Sequence, residues 1–203
     1  YITMNNCRPL HVFDLDKIKG NLKIRHSKKG EQFEGLDGIN YNLDDGMIVI
    51  CDDNGIISLA GILGGLSTAC DNNTKNIFVE SAFFDPKSIA NTGRKLNIVS
   101  EARYRFERGL DQDCPEWVHN YISDLVIDIC GGEVSFLDKT GSGPNWSREI
   151  TFETQQVFNL TGVNVNEITI EKILSDLGFK INKNKGKWSV LPPPWRNDID
   201  GSA

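Results

Sequence analysis

Ile77-Phe78-Val79-Glu80-Ser81-Ala82-Phe83-Phe84 decides how this chain is read. Its apolar, β-branched and aromatic make-up predicts a buried strand, interrupted by one carboxylate. Asp85-Pro86 follows at once with the form of a helix N-cap and a proline at the first helical position, predicting a helix to residue 95. Upstream, short strands alternate with tight turns. Leu22 and Ile24 alternate with Lys23 and Arg25 in the period of a half-buried strand. Gly35-Leu36-Asp37-Gly38 and Asp44-Asp45-Gly46 mark turns, the second before an apolar strand over 47–51. Asp52-Asp53-Asn54-Gly55 then predicts a hairpin turn into a strand over 56–60. Downstream, Trp117, Tyr121, Leu125 and Ile129 recur every four residues, with Val118, Ile122 and Val126 beside them. That spacing predicts a helix from about Pro115 to Cys130, ended by Gly131-Gly132.

Residues 140–148 are rich in Gly, Ser, Pro and Asn and read as a linker. Beyond it Thr169 is positioned to cap a helix whose apolar face is Ile170, Ile173, Leu174 and Leu177, with Gly178 as its stop. Phe179-Lys180-Ile181 and Trp188-Ser189-Val190 flank the polar turn 182–187 as a hairpin, and Pro192-Pro193-Pro194 ends it. The expected class is α+β: a multi-stranded domain with packed helices over 1–147, then a small α/β unit over 148–203. No internal repeat is visible.

Hydrophobic residues make up 39% and charged residues 25% of the 203, the balance of an ordinary globular chain. The longest apolar runs are far too short to span a bilayer, and no membrane association is expected. The chain opens on Tyr1-Ile2-Thr3 without an initiator Met or a basic-then-apolar leader, so it reads as a piece of a larger protein with no secretion signal. Gly201-Ser202-Ala203 closes it as native sequence or as a cloning remnant; nothing in the sequence chooses. Five cysteines without a CxxC pair, and three histidines at no zinc spacing, are expected to be free thiols and ordinary imidazoles in a reducing cytoplasm. No metal is expected.

A net charge of −6 and a pI near 5.1 argue against a free-standing nucleic-acid binder. The charge is unevenly spread. Lys17, Lys19, Lys23, Arg25, Lys28 and Lys29 fall in one stretch without an acid, whereas residues 31–74 contain eight acids and no Lys or Arg. The basic stretch reads as a solvated strand face before it reads as an RNA contact. Lys180, Lys183, Lys185 and Lys187 in the C-terminal hairpin read as a solvated turn.

Glu80 has two readings: a buried acceptor for a ligand hydroxyl, or a strand-edge acid paired with an arginine such as Arg105 or Arg108. Gly61 and Gly64-Gly65 are either tight-turn residues or places where backbone approaches a ligand closely; their spacing is not that of a dinucleotide loop. His11, just after Pro9, is either a structural histidine or one that positions a water or a ribose hydroxyl. Arg103, Arg105, Glu107 and Arg108 read as internal ion pairs. No Ser-His-Asp or Cys-His arrangement is apparent.

Five blocks in one order resemble the β-subunit family of bacterial phenylalanyl-tRNA synthetases. They are Arg8-Pro9-Leu10-His11-Val12-Phe13-Asp14, Leu59-Ala60-Gly61-Ile62-Leu63-Gly64-Gly65 and Val79-Glu80-Ser81-Ala82-Phe83-Phe84, then Ser100-Glu101-Ala102-Arg103-Tyr104-Arg105-Phe106-Glu107-Arg108-Gly109-Leu110-Asp111 and Ile129-Cys130-Gly131-Gly132-Glu133. The resemblance covers the editing region called B3/B4 to about residue 147, then most of a winged-helix-like B5 domain ending in Pro194-Trp195-Arg196-Asn197-Asp198-Ile199. It implies a pocket that takes the 3′ end of the phenylalanine tRNA and hydrolyses wrongly attached tyrosine. His11, Gly61, Gly64, Glu80, Ser100 and Ala102 match that pocket; no catalytic residue is assigned.

The resemblance further implies an α subunit as partner in an (αβ)2 heterotetramer in the cytoplasm. ATP and Mg2+ are expected there, on the partner, and no cofactor in this chain. Two departures stand out. Ser100 replaces the Thr of many relatives, and a Thr-Asn pair that relatives carry just before the position of Tyr1 is not in this sequence. The alternative is a structural and tRNA-binding module of the same enzyme in which editing has been lost.

Overall fold

In the computed structural model, residues 1–144, 147–184 and 187–201 are described. Asn145 and Trp146 of the expected linker, Lys185 of the expected turn, and Ser202-Ala203 lie outside them. The chain divides into two compact units: Tyr1–Leu110 with Cys114–Lys139, and Asp111–Asp113 with Thr140–Ala203. Both mix helices with antiparallel sheets, so the class is α+β. No described helix is long and apolar enough to cross a membrane.

The first unit opens with a short helix, α1 (Ile2–Asn6), and then β1 (His11–Asp14). Next come β2 (Lys23–His26), β3 (Gln32–Glu34), β4 (Asn40–Asn42), β5 (Ile48–Cys51), β6 (Ile56–Leu59), β7 (Leu63–Gly64) and β8 (Ile77–Glu80). Strands β2-β5-β6-β7 form one antiparallel sheet, β3-β4 a second and β1-β8 a third. The predicted hairpin turn joins β5 to β6: Asp52 Oδ1 accepts from the amides of Asn54 (2.8 Å) and Gly55 (3.1 Å), the local bonding that makes Asp a turn former. Phe13, Phe33, Val49, Leu59 and Ile89 lie in the core between these sheets and the helices.

The expected strand over 77–84 ends early, at Glu80. Its partner explains why. His11 pairs with Glu80, and two further steps of that register would set Pro9 against Ala82, where proline has no N–H to donate. Residues 81–85 therefore leave the sheet and enter α2 (Pro86–Lys95) through the predicted cap. The Asp85 carboxylate accepts from both the amide and the hydroxyl of Ser88, each at 2.8 Å.

The short α-helices α1 and α3 (Glu101–Phe106) are not among the elements expected from the sequence. The longer α4 (Cys114–Cys130) occupies the expected place but buries a different stripe. Cys114, Val118 and Ile122 face inward, joined by Val126, while Trp117 is 52% and Ile129 is 70% exposed. Both stripes repeat with helical period, so spacing alone did not choose; the inward one meets Ile2, Leu10 and Val79.

In the second unit, β9 (Ile150–Glu153), α5 (Gln155–Thr161), α6 (Glu167–Asp176), β10 (Lys180–Asn184) and β11 (Lys187–Leu191) follow in order. The predicted hairpin β10-β11 is present, but residues 182–184 and 187, expected in its turn, pair as strand; β9, not anticipated, pairs with the other side of β11. Asn166, not Thr169, caps α6: its side chain accepts from the Thr169 amide at 2.8 Å. Trp188, Val190 and Ile170 form the core of this unit.

Asp85→Ala removes the acceptor at the start of α2 and is expected to cost about 1 kcal/mol of stability. A lowered denaturation midpoint with the far-UV spectrum of the native state checks it.

Candidate functional site

The β1-β8 pair has two distinct faces. In an antiparallel ladder directly opposed residues share a face, so His11 and Glu80 lie side by side, as do Phe13 and Phe78. The two phenylalanine rings are 6.1 Å apart. Val12 and Val79 take the other face, with Val79 against the α4 cluster. The His11–Glu80 face opens on a cleft of about 340 Å3 including its mouth, closed by β6, the turn into β7, and α3.

Five of the six residues singled out from the sequence meet in this cleft: His11, Gly61, Gly64, Glu80 and Ala102. Ala102 and Phe106 stand one helical turn apart on α3 and form one wall. Ser100 is not in the lining. Its hydroxyl donates to the Ile62 carbonyl at 2.6 Å and accepts from the Arg103 amide at 3.0 Å. It caps α3 and ties that helix to the β6-β7 turn. Ser100 thus sets the spacing of two walls, a role that residue type alone does not reveal.

Both glycines have specific packing reasons. Gly61 sits at φ +67°, a left-handed conformation, and a Cβ there would come within 2.8 Å of the Phe84 ring. At Gly64 the obstacle is His11, whose Cε1 lies 2.1 Å from where a Cβ would be. The imidazole therefore rests on bare backbone, held edge-on by the Phe13 ring at 4.3 Å. Burial lowers the His11 pKa, so the ring is neutral at pH 7.

Glu80 differs from the other acids. No hydrogen-bond donor among the described residues reaches its carboxylate. Arg105 pairs with Glu101 and Arg108 with Glu107, so the arginine partnership considered for Glu80 is not formed with either. Although the side chain keeps some accessible surface, burial of the carboxyl pushes its pKa up to about 7, opposed by the charge of Arg8. The arginines of α3 instead hold that region together: Arg103 Nε lies 3.0 Å from Glu107, and the Arg108 guanidinium 3.7 Å from the centre of the Tyr104 ring.

Three of the six basic side chains in the stretch 17–29 are paired with acids. Lys17 meets Asp71 at 2.7 Å and Asp14 at 3.4 Å, Lys23 meets Asp53 at 3.5 Å, and Arg25 makes a two-pronged contact with Glu31 at 2.8 and 2.9 Å. Arg25 and the Lys28 amide pull the Glu31 pKa down to about 2. In the second unit, Lys183 pairs with Glu171 and Lys187 with Glu153. No group of His, Cys, Asp and Glu suited to a metal ion occurs among the described residues.

Burial of the Glu80 carboxyl has a consequence for stability. Its folded pKa lies above the ordinary value of 4.5, so between about 4.5 and 7 the native state holds a proton that the unfolded chain releases. Stability therefore falls as pH rises through that window. Glu80→Gln is expected to remove this part of the slope, measured as the denaturation midpoint between pH 4.5 and 8; parallel curves for the two proteins would refute it.

Comparison with known proteins follows the division into units. The family described as the B3/4 domain matches residues 1–131, and the tRNA synthetase B5 domain matches residues 150–203. Over the whole chain the sequence is 43% identical to the phenylalanine–tRNA ligase β subunit of Brucella abortus (strain 2308), and 42% identical to that of Mesorhizobium japonicum. It is 44% identical over 95% of the chain to that of Paramagnetospirillum magneticum. The chain spans about a quarter of the length of these relatives: 25%, 25% and 24%. A crystal structure of an N-terminal fragment of the β subunit from Pyrococcus horikoshii overlaps 98% of this chain and 58% of its own, at 15% identity and a TM-score of 0.42.

Proposed function

Because the chain belongs to the B3/4 domain family and carries a tRNA synthetase B5 domain after it, we propose that its cleft is the editing site of a phenylalanine–tRNA ligase β subunit. The reaction is hydrolysis of tyrosine wrongly esterified to the phenylalanine tRNA. The observation that carries this reading is Glu80, a carboxylate that no donor among the described residues reaches, inside a cleft whose other walls include His11, Gly61, Gly64, Ala102 and Phe106.

The chemistry asks for such a group. Tyrosine is phenylalanine with one added hydroxyl, and an apolar synthetic pocket cannot strongly reject an isostere of that kind; a second, hydrolytic sieve is the general remedy. That sieve has to favour the hydroxyl. An ionised Glu80 accepting the phenol O–H contributes about 1.5–3 kcal/mol, on the order of 10- to 100-fold in preference. A phenylalanine ring in the same place leaves the carboxylate desolvated and unpaired.

The ester to be cleaved is already activated, so the site needs mainly a positioned water and donors for the developing oxyanion, with the neighbouring ribose hydroxyl available to help. His11, neutral and beside Glu80, is the side chain placed to hold that water or the ribose hydroxyl. No proton-transfer role is assigned to it. Delivery of the tRNA falls to the rest of the β subunit and to an α subunit as partner, which would also use ATP and Mg2+ for aminoacylation. With three of the six basic side chains of the stretch 17–29 paired with acids and a net charge of −6, this chain alone is a poor ligand for phosphate.

Glu80→Ala in the full-length protein assembled with its partner is expected to lower the preference for Tyr over Phe esters by roughly 10- to 100-fold, with Glu80→Gln between the two. Equal loss toward both esters would make Glu80 a purely structural acid. Ala102→Trp fills the wall of the cleft and is expected to abolish Tyr-ester hydrolysis while aminoacylation continues. A folded Ala102→Trp protein that still deacylates Tyr-tRNA would rule out the cleft as the site.

A further inference from the structure

Besides His11 and Glu80, one more polar side chain lines the cleft among the described residues: Ser58. It lies in β6 between Ile57 and Leu59, both in the main core. Side chains alternate along a strand, so the hydroxyl takes the face opposite to theirs. Ser58 is 3% exposed, and a hydroxyl so buried ordinarily makes a good hydrogen bond. This one reaches only the Leu63 carbonyl, at 3.4 Å, outside the range of about 2.5–3.0 Å usual for a hydroxyl donor. No donor among the described residues reaches its oxygen, so both lone pairs are left over.

The register sets this hydroxyl beside His11. Ser58 stands directly opposite Gly64 in the β6-β7 pair, so the two share a face, with Cβ positions about 4.5–5.5 Å apart. The Cβ position of Gly64 is where the imidazole sits: His11 Cε1 lies 2.1 Å and Nε2 2.6 Å from it. Ser58 and the edge of the imidazole are therefore neighbours within the cleft, and Gly64 puts no side chain between them. Burial keeps that ring neutral at pH 7, with one nitrogen free to accept a hydrogen bond. A recess lined by two unused acceptors suits a water, which needs two to four polar partners.

We propose that Ser58 and His11 together hold the hydrolytic water of this site, the Ser58 oxygen and the unprotonated ring nitrogen of His11 each accepting one of its O–H bonds. This rests on the reading of the cleft as the editing site, and it names what places the nucleophile there. With both O–H bonds engaged, the water keeps a lone pair for the ester. Its oxygen bonds to the ester carbonyl carbon, and the bond from that carbon to the ribose oxygen breaks. One water proton ends on the ribose oxygen and the other goes to solvent as tyrosine leaves as its carboxylate. Glu80 chooses the substrate; Ser58 and His11 aim the water.

The test is single-turnover deacylation of Tyr- and Phe-esterified tRNA by the full-length protein assembled with its partner. Ser58→Ala is expected to lower the saturated rate on the Tyr ester roughly 5- to 10-fold, the worth of one neutral hydrogen bond. The half-saturating concentration and the Tyr-over-Phe preference stay as they are. Ser58→Thr keeps the hydroxyl and is expected to keep the rate even where its melting temperature falls. If Ser58→Thr does not fold, Ser58→Gly takes its place. The space it leaves admits a second water where the hydroxyl was, so its rate exceeds that of Ser58→Ala, although glycine is the poorer strand residue. A wild-type rate in Ser58→Ala, or a loss shared in full by the Thr or Gly variant, would make Ser58 a strand residue tied to Leu63 and overturn the proposal. So would a raised half-saturating concentration at unchanged rate, which means contact with the substrate instead of the water. Tyrosine found covalently attached to Ser58 after acid quenching would overturn it too, by making Ser58 the nucleophile. Failure of the underlying reading looks different: Ala102→Trp would then also cleave the Tyr ester at the wild-type rate, whereas an error confined to Ser58 leaves Ala102→Trp inactive.

Discussion

The cleft depends on the pairing of β1 with β8, two strands of four residues each that form a sheet by themselves. A two-stranded ladder has little stability of its own in water. This one is held from both sides, by Phe13 in the main core and by Val79 against the Cys114, Val118 and Ile122 stripe of α4. Because side chains alternate strictly along a strand, a slip of one residue would carry the slipped strand's member of the His11–Glu80 pair to the opposite face. The register is pinned by apolar burial on both faces, and the polar pair at its end inherits a fixed place from that packing.

Much of this was legible in the residues. The Asp85-Pro86 cap and the Asp52–Gly55 turn each rest on local chemistry, so they survive translation into three dimensions unchanged. Glu80 stood out for the same reason, as one acid within an apolar strand. What the sequence left open was settled by partners distant along the chain. The helix over 114–130 offers two apolar stripes of the same period, and the choice between them lies with Ile2, Leu10 and Val79. Ser100 looked like part of the pocket, but its hydroxyl turns to the Ile62 carbonyl. Nothing near residue 100 in sequence announces that acceptor. β9 and α5, in turn, carry too few residues for a periodic signal to emerge.

Charge shows the same division. Read along the chain, residues 17–29 look like a basic patch and 31–74 like an acidic one. Folded, the antiparallel arrangement of β2 on β5 sets Lys23 opposite Cys51, beside the Asp52–Gly55 turn, and the blocks cancel in part through Lys17–Asp71, Lys23–Asp53 and Arg25–Glu31. These are mostly exposed pairs of small energetic value. Their larger effect is on the field around the molecule, since half of a stretch that seemed able to attract phosphate is neutralised.

The contact between His11 and Gly64 reaches beyond this one protein. A Cβ at position 64 and an imidazole at position 11 claim the same space, so position 64 is not free to gain a side chain while the imidazole stays. In lineages that keep a histidine at 11, drift at 64 is blocked at the first step, because even alanine displaces the ring. A lineage that has given up the histidine is released at 64 as well. The two sites therefore record a single evolutionary choice, and side chains larger than hydrogen at 64 should mark those descendants in which residue 11 no longer has work to do.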